Sequence, residues 1–313
     1  MLVFADHLDF ARTLLPSVST WEPRRAATLQ PPVRHLATRL QPDAAWHAGE
    51  LAGPDFDRCL LVARSSHSQF DVLRDLATAN RLPEGSTFCV AGSGLDFHGY
   101  RGRSWTAVAG NLHVSLVFAP GADIAHFGAV FMALPAVATA EAIEKVARQA
   151  RPVGIKWVND VVVAGAKVAG VIAHTCGSST RVEQAVLGIG INVEIVPHIE
   201  RSPFVPRAGA LSELDPGVTQ AEVLLALLQS LGRRYRAVLD GGAEELLAAY
   251  RDRSVVLGRR VEIHPDATHG GQVVSGRVKS IDDDLQLVLD GRSAPVGHGR
   301  LLVAAGESSG RNP

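Results

Sequence analysis

The sequence predicts an α+β fold: a central mixed or antiparallel β-sheet flanked by helices, with a small β-barrel at the C-terminal end. Three observations carry this. Apolar strand-like runs recur between residues 59 and 196, among them CLLVA, STFCVAG, LHVSLVF and EQAVLGIGINVEIV. Helical patterns separate and follow them. From about residue 254 to 303, short β runs alternate with turns at the spacing of small barrels.

Residues 1–58 read as a separate N-terminal extension. Pro16, Pro23, Pro31, Pro32, Pro42 and Pro54 interrupt it, which disfavours long helices and suits short ones near residues 8–15 and 33–40. From residue 59 the pattern sharpens. Ser68 is placed to cap a helix in which Val72, Leu73 and Leu76 recur at helical spacing. Residues 121–150 are Ala-rich, and AEAIEKVARQA suits a helix. GIKWV, VVVA and KVAGVIAHTC read as short β segments joined by small turns. Thr219 and Glu222 have the spacing of a capping box that opens a Leu-rich helix, and a second helix is expected near residues 243–253. The boundaries expected are 1–58, 59–253 and 254–304, with a frayed tail at 305–313.

Composition limits the function classes. With 46% hydrophobic and 20% charged residues, the 313-residue chain can bury a sizeable core, which excludes wholesale disorder, collagen-like structure and a coiled coil. Lys plus Arg is 31 and Asp plus Glu is 32, a balance that argues against a nucleic-acid partner. Cys59, Cys89 and Cys176 form no CxxC pair, which fits a reducing compartment better than a disulfide framework. No uninterrupted apolar run reaches the length a membrane helix needs, and the start MLVFADHLDF lacks a basic region, so cytoplasm and no membrane partner are expected.

Three constellations carry chemistry. In HGYRGRSW, Gly99 and Gly102 permit close backbone approach, Arg101 and Arg103 offer bidentate donors for phosphate or carboxylate, and Trp105 is placed to wall an aromatic pocket. The plainer reading is a solvated surface loop. In KWVND, Lys156 emerges from an apolar strand and needs an anionic partner, either Asp160 or a bound phosphate, with Lys167 seven residues beyond. Asn159 and Asp160 also suit a simple turn. In GIGIN, alternating glycines mark close approach of a ligand or of neighbouring packing. No GxGxxG opens a helix, so this is not a dinucleotide fingerprint. Asp282, Asp283 and Asp284 read as a hairpin turn, RRYR at 233–236 as a solvated helix face, and Trp21 and Trp46 as packing residues.

In this order the three constellations resemble the catalytic domain of the biotin protein ligases. That family carries a GRGRxGRxW loop, a KWPND strand–turn, a Lys-x-x-Gly-Ile segment and a GxGxN strand. The corresponding stretches here are FHGYRGRSW, KWVND, KVAGV and GIGIN. The helix after SHSQFDVLRDLA sits where the family has its Ser-Thr-Asn helix start, and LGRRVEI, GRVKSIDDDLQLVLD and VGHGRLLV look like its small SH3-like domain. The resemblance covers roughly residues 59–304. The first 58 residues do not look like the winged helix of the family's repressors.

The resemblance implies a biotin/lipoate ligase-like fold, related to the class II synthetases, and a carbon–nitrogen bond-forming ligase similar to biotin–[acetyl-CoA-carboxylase] ligase. It implies ATP, Mg²⁺ and biotin, an acyl-adenylate intermediate, and an acceptor protein with a modifiable lysine. It leaves a homodimer open. Lys156 matches the essential lysine and is the catalytic candidate. The substrate-binding candidates are Ser68, Gly99, Arg101, Gly102, Arg103, Trp105, Asn159, Asp160, Lys167, Gly170, Gly188 and Asn192. Arg101 and Arg103 would belong to a mobile lid over the adenylate, Lys167 would clamp carboxylate or phosphate, and Gly170 and Gly188 would leave room for the ligand. The family's Ser-Thr-Asn reads Ser68-Gln69-Phe70 here, its glutamine falls on Gly94, and its first two loop arginines fall on His98 and Tyr100. These positions serve the acid's ring and the closing loop, so lipoate, octanoate or another small acid stays open, as does a catalytically weak binding protein on the same scaffold. Cys176 reads as packing rather than as a nucleophile. The ligase reading requires the two lysines to sit on adjacent strands and face a common cavity.

Overall fold

A computed structural model describes the chain except residues 54–55, 83–84, 149–150, 179–180, 201, 205–206, 267–271 and 305–313. The frayed tail expected at 305–313 lies outside the described residues. Among these, eleven strands form one sheet. Side by side they run β2 (Glu22–Arg24), β3 (Trp46–Glu50), β1 (Leu2–Ala5), β4 (Arg58–Ser65), β5 (Thr87–Gly94), β6 (Leu112–Phe118), β11 (Arg181–Ile191), β10 (Ala166–Ser178), β9 (Asp160–Val163) and β8 (Val153–Lys156), with the two-residue β7 (Ala122–Asp123) beside the start of β11. β4 pairs parallel with β1 and β5, and the other pairings are antiparallel, so the sheet is mixed as expected.

The first 58 residues are not a separate layer. β1 seals the edge of β4, with Val3 and Ala5 fully buried, and β3 and β2 continue outward. An apolar parallel strand such as β4 cannot be left as an open edge. The many prolines of this segment hide that short strand from a composition reading.

Both faces of the sheet are covered. On one lie α1 (Leu8–Leu14), α4 (Phe127–Val146), α5 (Gln220–Leu239) and α6 (Ala243–Asp252); on the other, α2 (Pro31–Leu40) and α3 (Gln69–Thr78). Alternate residues of β4 therefore enter different cores, Cys59 and Leu61 on one side and Leu60 and Val62 on the other. This is why the central strands read as nearly continuous apolar runs. α4 is long and apolar enough to cross a membrane by length and composition, but 78% of that window is buried inside the protein, as in a core helix. Arg233 and Arg234 of α5 pair with Glu141 of α4, so RRYR ties two helices together rather than only facing water. The capping box forms as expected: Glu222 N–H donates to Thr219 Oγ1 at 3.3 Å, and Thr219 N–H donates to Glu222 Oε2 at 3.0 Å.

The C-terminal segment forms a second, antiparallel sheet ordered β14 (Leu287–Leu289), β13 (Val274–Ile281), β12 (Arg260–His264) and β15 (Arg300–Val303), consistent with the expected SH3-like unit. SAPV contributes only an isolated bridge between Leu287 and Val296. The sheet is anchored beside the KWVND turn. Trp157 Nε1–H donates to Leu285 O at 2.7 Å, Tyr250 O–H donates to Val158 O at 2.9 Å, and Arg251 holds Ile281 O and Asp283.

Candidate active site

One row of residues crosses six strands. Ala91 pairs with His113, His113 with Gly190, Gly190 with Gly170, Gly170 with Asp160, and Asp160 with Lys156. A second row two residues along runs Cys89, Ser115, Gly188, Ile172. Residues two apart on a strand share a face, so GIGIN, KVAGV and KWVND meet there. A cavity of about 530 Å³ opens over these rows, roofed by the start of α3, the 97–106 loop and the 197–200 segment.

Trp105 occupies the centre of this floor. A β-carbon on Gly190 would lie 2.1 Å from the indole Cζ2, and one on Gly170 would lie 3.2 Å from its Cζ3. Gly188 would meet Ile172 at 2.7 Å and the Phe70 ring at 3.1 Å. The space expected for the ligand at Gly170 and Gly188 is thus partly filled by the protein's own side chains, although both glycines line the cavity. Trp105 Nε1–H donates to His113 Nδ1 at 3.2 Å, which leaves His113 Nε2–H to donate to Val108 O at 3.2 Å. His113 is 2% exposed, and burial lowers its pKa to about 4, so the ring is neutral at pH 7.

Lys167 Nζ lies 2.6 Å from Asp160 Oδ1 and 5.7 Å from the Trp105 ring. Asn159 Nδ2–H donates to Val171 O at 2.9 Å, and Asn192 Nδ2–H donates to Gly209 O at 2.9 Å. Asn192 is 2% exposed, lines the cavity, and leaves its Oδ1 buried without a partner. That oxygen keeps an acceptor unused, at a cost in folding that a partner would relieve.

Lys156 is 9% exposed, and its ammonium donates to Phe204 O at 2.5 Å. Burial lowers its pKa; Asp160 opposes this, while Lys167, Arg103 and Arg300 add to it. The two lysines are not on adjacent strands, because β9 runs between β8 and β10. Lys156 lines a smaller pocket at the C-terminal sheet rather than the large cavity, and the two hollows share Tyr100, Arg103 and Asn159. The lysines therefore flank a continuous polar wall instead of facing one cavity.

The glycine/arginine loop folds back on itself through a His98–Ser104 bridge and a 2.6 Å hydrogen bond from Gly99 N–H to Arg103 O. Arg101 (φ +58°) and Gly102 (φ +71°) form its tip. Neither lines the cavity: Arg101 is ion-paired to Asp266, while Gly99 and Arg103 do line it. Ser68 caps α3 and lines the cavity. His98 Nε2 lies 2.9 Å from the Asp71 carboxylate. At Gly94 a β-carbon would lie 2.4 Å from Phe97 Cε1, so Phe97 holds the place a larger side chain would take. Cys176 lies outside the cavity lining. Sequence reading missed His113, Gly190, Phe97 and Arg300. His113 and Ser115 alternate as polar positions in LHVSLVF, a legible signal for one face of that strand. Arg300 has no local signal.

Fold and site together define a ligase of the biotin/lipoate class. The family model described as biotin/lipoate A/B protein ligase matches residues 87–192. A biotin–[acetyl-CoA-carboxylase] ligase of Paracoccus denitrificans is 31% identical over 238 residues, spanning 71% of this chain and 90% of that protein. One from Mycobacterium tuberculosis is 28% identical over 264 residues, spanning 82% and 90%. The structure of biotin protein ligase from Aquifex aeolicus with biotin and ATP shares the fold, with TM-score 0.61 and 20% identity over 80% of this chain and 99% of that one. The chain belongs to the biotin protein ligase family.

Proposed function

We propose that this chain activates biotin with ATP as biotinyl-adenylate and transfers the acyl group to a lysine of an acceptor carboxylase. The family membership and the relatives' names support this reading, and the cross-strand row ending in Asp160 and Lys156 carries it. In the first step a carboxylate oxygen attacks the α-phosphorus and the bond to the β-phosphate breaks, releasing pyrophosphate. In the second, the acceptor amine attacks the acyl carbon, AMP leaves and the amine loses a proton.

Both reactants of the first step are anions, so preorganised cations lower its barrier most. Lys156 is the catalytic group, reaching the phosphates from the smaller hollow past the shared Arg103 and Asn159. Lys167, held by Asp160, steadies the carboxylate, and Arg103 with Gly99 closes over the nucleotide. Arg101 and Gly102 shape the loop tip. Trp105 and Asn192 border the base, Asn159 orients the phosphate side, and Ser68, Gly170 and Gly188 border the acid. Among the described residues no cluster of three or more His, Cys, Asp or Glu is built to hold a metal. Mg²⁺ would accordingly arrive with the triphosphate, with Asp160 as the nearby hard oxygen donor, and would supply charge neutralisation. Cytoplasm, with its ATP supply, fits the three free cysteines.

One observation favours a second acid. Phe70 stands where the family pattern has a polar side chain and Phe97 fills the space beside Gly94, where it has a glutamine, which suits an acyl chain without a hydrogen-bonding ring, such as lipoate or octanoate. Acid-dependent ATP–pyrophosphate exchange decides. Exchange with biotin is expected; exchange only with lipoate or octanoate would replace biotin as the acid, and none with any acid would overturn the ligase reading.

A further inference from the structure

We infer that Cys176, with His174 as its base and Gln184 as an acceptor beside it, is a thiol modification site that takes a small peptide disulfide, independently of the proposed ligase function. The chain has three cysteines, all free. Cys59 and Cys89 are fully buried, and burial pushes both thiols up, that of Cys89 to about 12. Such thiols are inert at pH 7. Cys176 differs. It lies near the end of β10, where buried positions give way to partly buried and then exposed ones. It packs against the core under α3 while keeping part of its surface open. The register with β11 shifts between Cys176 and Gly177, and an irregularity of this kind re-aims a side chain.

His174 precedes Cys176 by two residues and shares its face of the sheet. Cys176 Sγ lies 3.4 Å from His174 Nε2. Burial, and after it the Arg74 guanidinium of α3, lowers the ring's pKa below 6.5, so the imidazole is neutral at pH 7 and free to take the thiol proton. Gln184 of β11 pairs directly with Cys176, and its Oε1 is buried without a partner. An amide N–H of a peptide would satisfy that oxygen. Thiol, base and idle acceptor thus stand together on two neighbouring strands, outside the lining of the large cavity. In the exchange, the thiol proton passes to His174 Nε2 and the sulfur attacks one sulfur of the incoming disulfide. A new S–S bond forms, the old one breaks, and the departing thiolate takes the proton from the imidazolium.

The probe is oxidised glutathione, added to the full chain at pH 7, with adducts counted by intact mass and located by peptide mapping. A single adduct is expected, at Cys176 and absent from Cys176→Ser. His174→Gln is expected to slow its formation roughly 10-fold or more. Reaction at all three thiols would show that a variant has unfolded, and His174→Asn is then read in its place. Gln184→Met is expected to cost roughly 2- to 10-fold with oxidised glutathione but to change little with hydroxyethyl disulfide, which has no amide. No adduct on the parent, an adduct on Cys59 or Cys89 of the folded chain, or an equal rate in folded His174→Gln would overturn the inference. A Gln184→Met variant that treats both disulfides alike would overturn the preference for a peptide.

Discussion

Trp105 and Gly190 are fitted to each other: the indole lies where any side chain on Gly190 would have to stand, 2.1 Å from the position of its β-carbon. Gly190 of GIGIN and Gly170 of the neighbouring strand thus seat an aromatic ring on the cavity lining. Gly190→Ala is expected to displace the indole, shift the tryptophan emission and slow adenylate formation, at a cost of about 1–3 kcal/mol in stability. Unchanged emission and exchange would show that this contact does not hold the ring.

Lys156→Ala is expected to reduce ATP–pyrophosphate exchange by roughly 10²–10³-fold. Its circular dichroism and melting temperature should change little, because the lost ammonium is a buried cation whose burial opposes its charge. Retained exchange would remove Lys156 from its role. The same lowered pKa sets the alkaline limb. Activity that needs the charged ammonium should decline on approaching a pH below the ordinary lysine value of 10.5. A pH–rate profile of kcat reads this directly.

His113 ties stability to acidity. Its folded pKa is lowered from 6.5 to about 4 by burial, so between these values the unfolded chain binds more protons than the folded one. Stability should therefore be full above pH 6.5 and fall as the pH drops toward 4, by at most about 3 kcal/mol. Urea denaturation of the parent and of His113→Gln at pH 7 and pH 4.5 measures it; an equal drop in both would assign the loss to other groups.

Gly94 and Phe97 should be coupled. Gly94→Gln alone collides with the Phe97 ring, whereas Gly94→Gln with Phe97→Ala relieves the collision. A double-mutant cycle on melting temperature and on the KM for biotin is expected to give a non-additive pair, with the double variant better in both than Gly94→Gln. Additive effects would show that the ring does not hold that space.

Local patterns exposed much of this protein to sequence reading. The cap at Ser68, the box at Thr219 and Glu222, and the KWVND and GIGIN strands are each set by a few neighbouring residues, and the fold places them as expected. What stayed hidden depends on distant partners. β1 is recognisable only once β4 needs an edge, and Trp105 finds its seat on glycines in two other strands. The resemblance puts Arg101 over the adenylate, but it pairs with Asp266 just past the end of β12, a contact no local motif encodes. His113 and Ser115 alternate legibly in LHVSLVF, but a strand buried on both faces leaves unmarked which face lines a cavity.

Trp157 follows Lys156 in the chain, and its indole N–H donates to Leu285 O in the hairpin between β13 and β14. The strand that ends in the Lys156 ammonium is therefore braced from outside its own sheet. Ending the polypeptide at residue 253 would not yield a minimal enzyme, since it would strip away the buttress that keeps the lysine's turn from swinging.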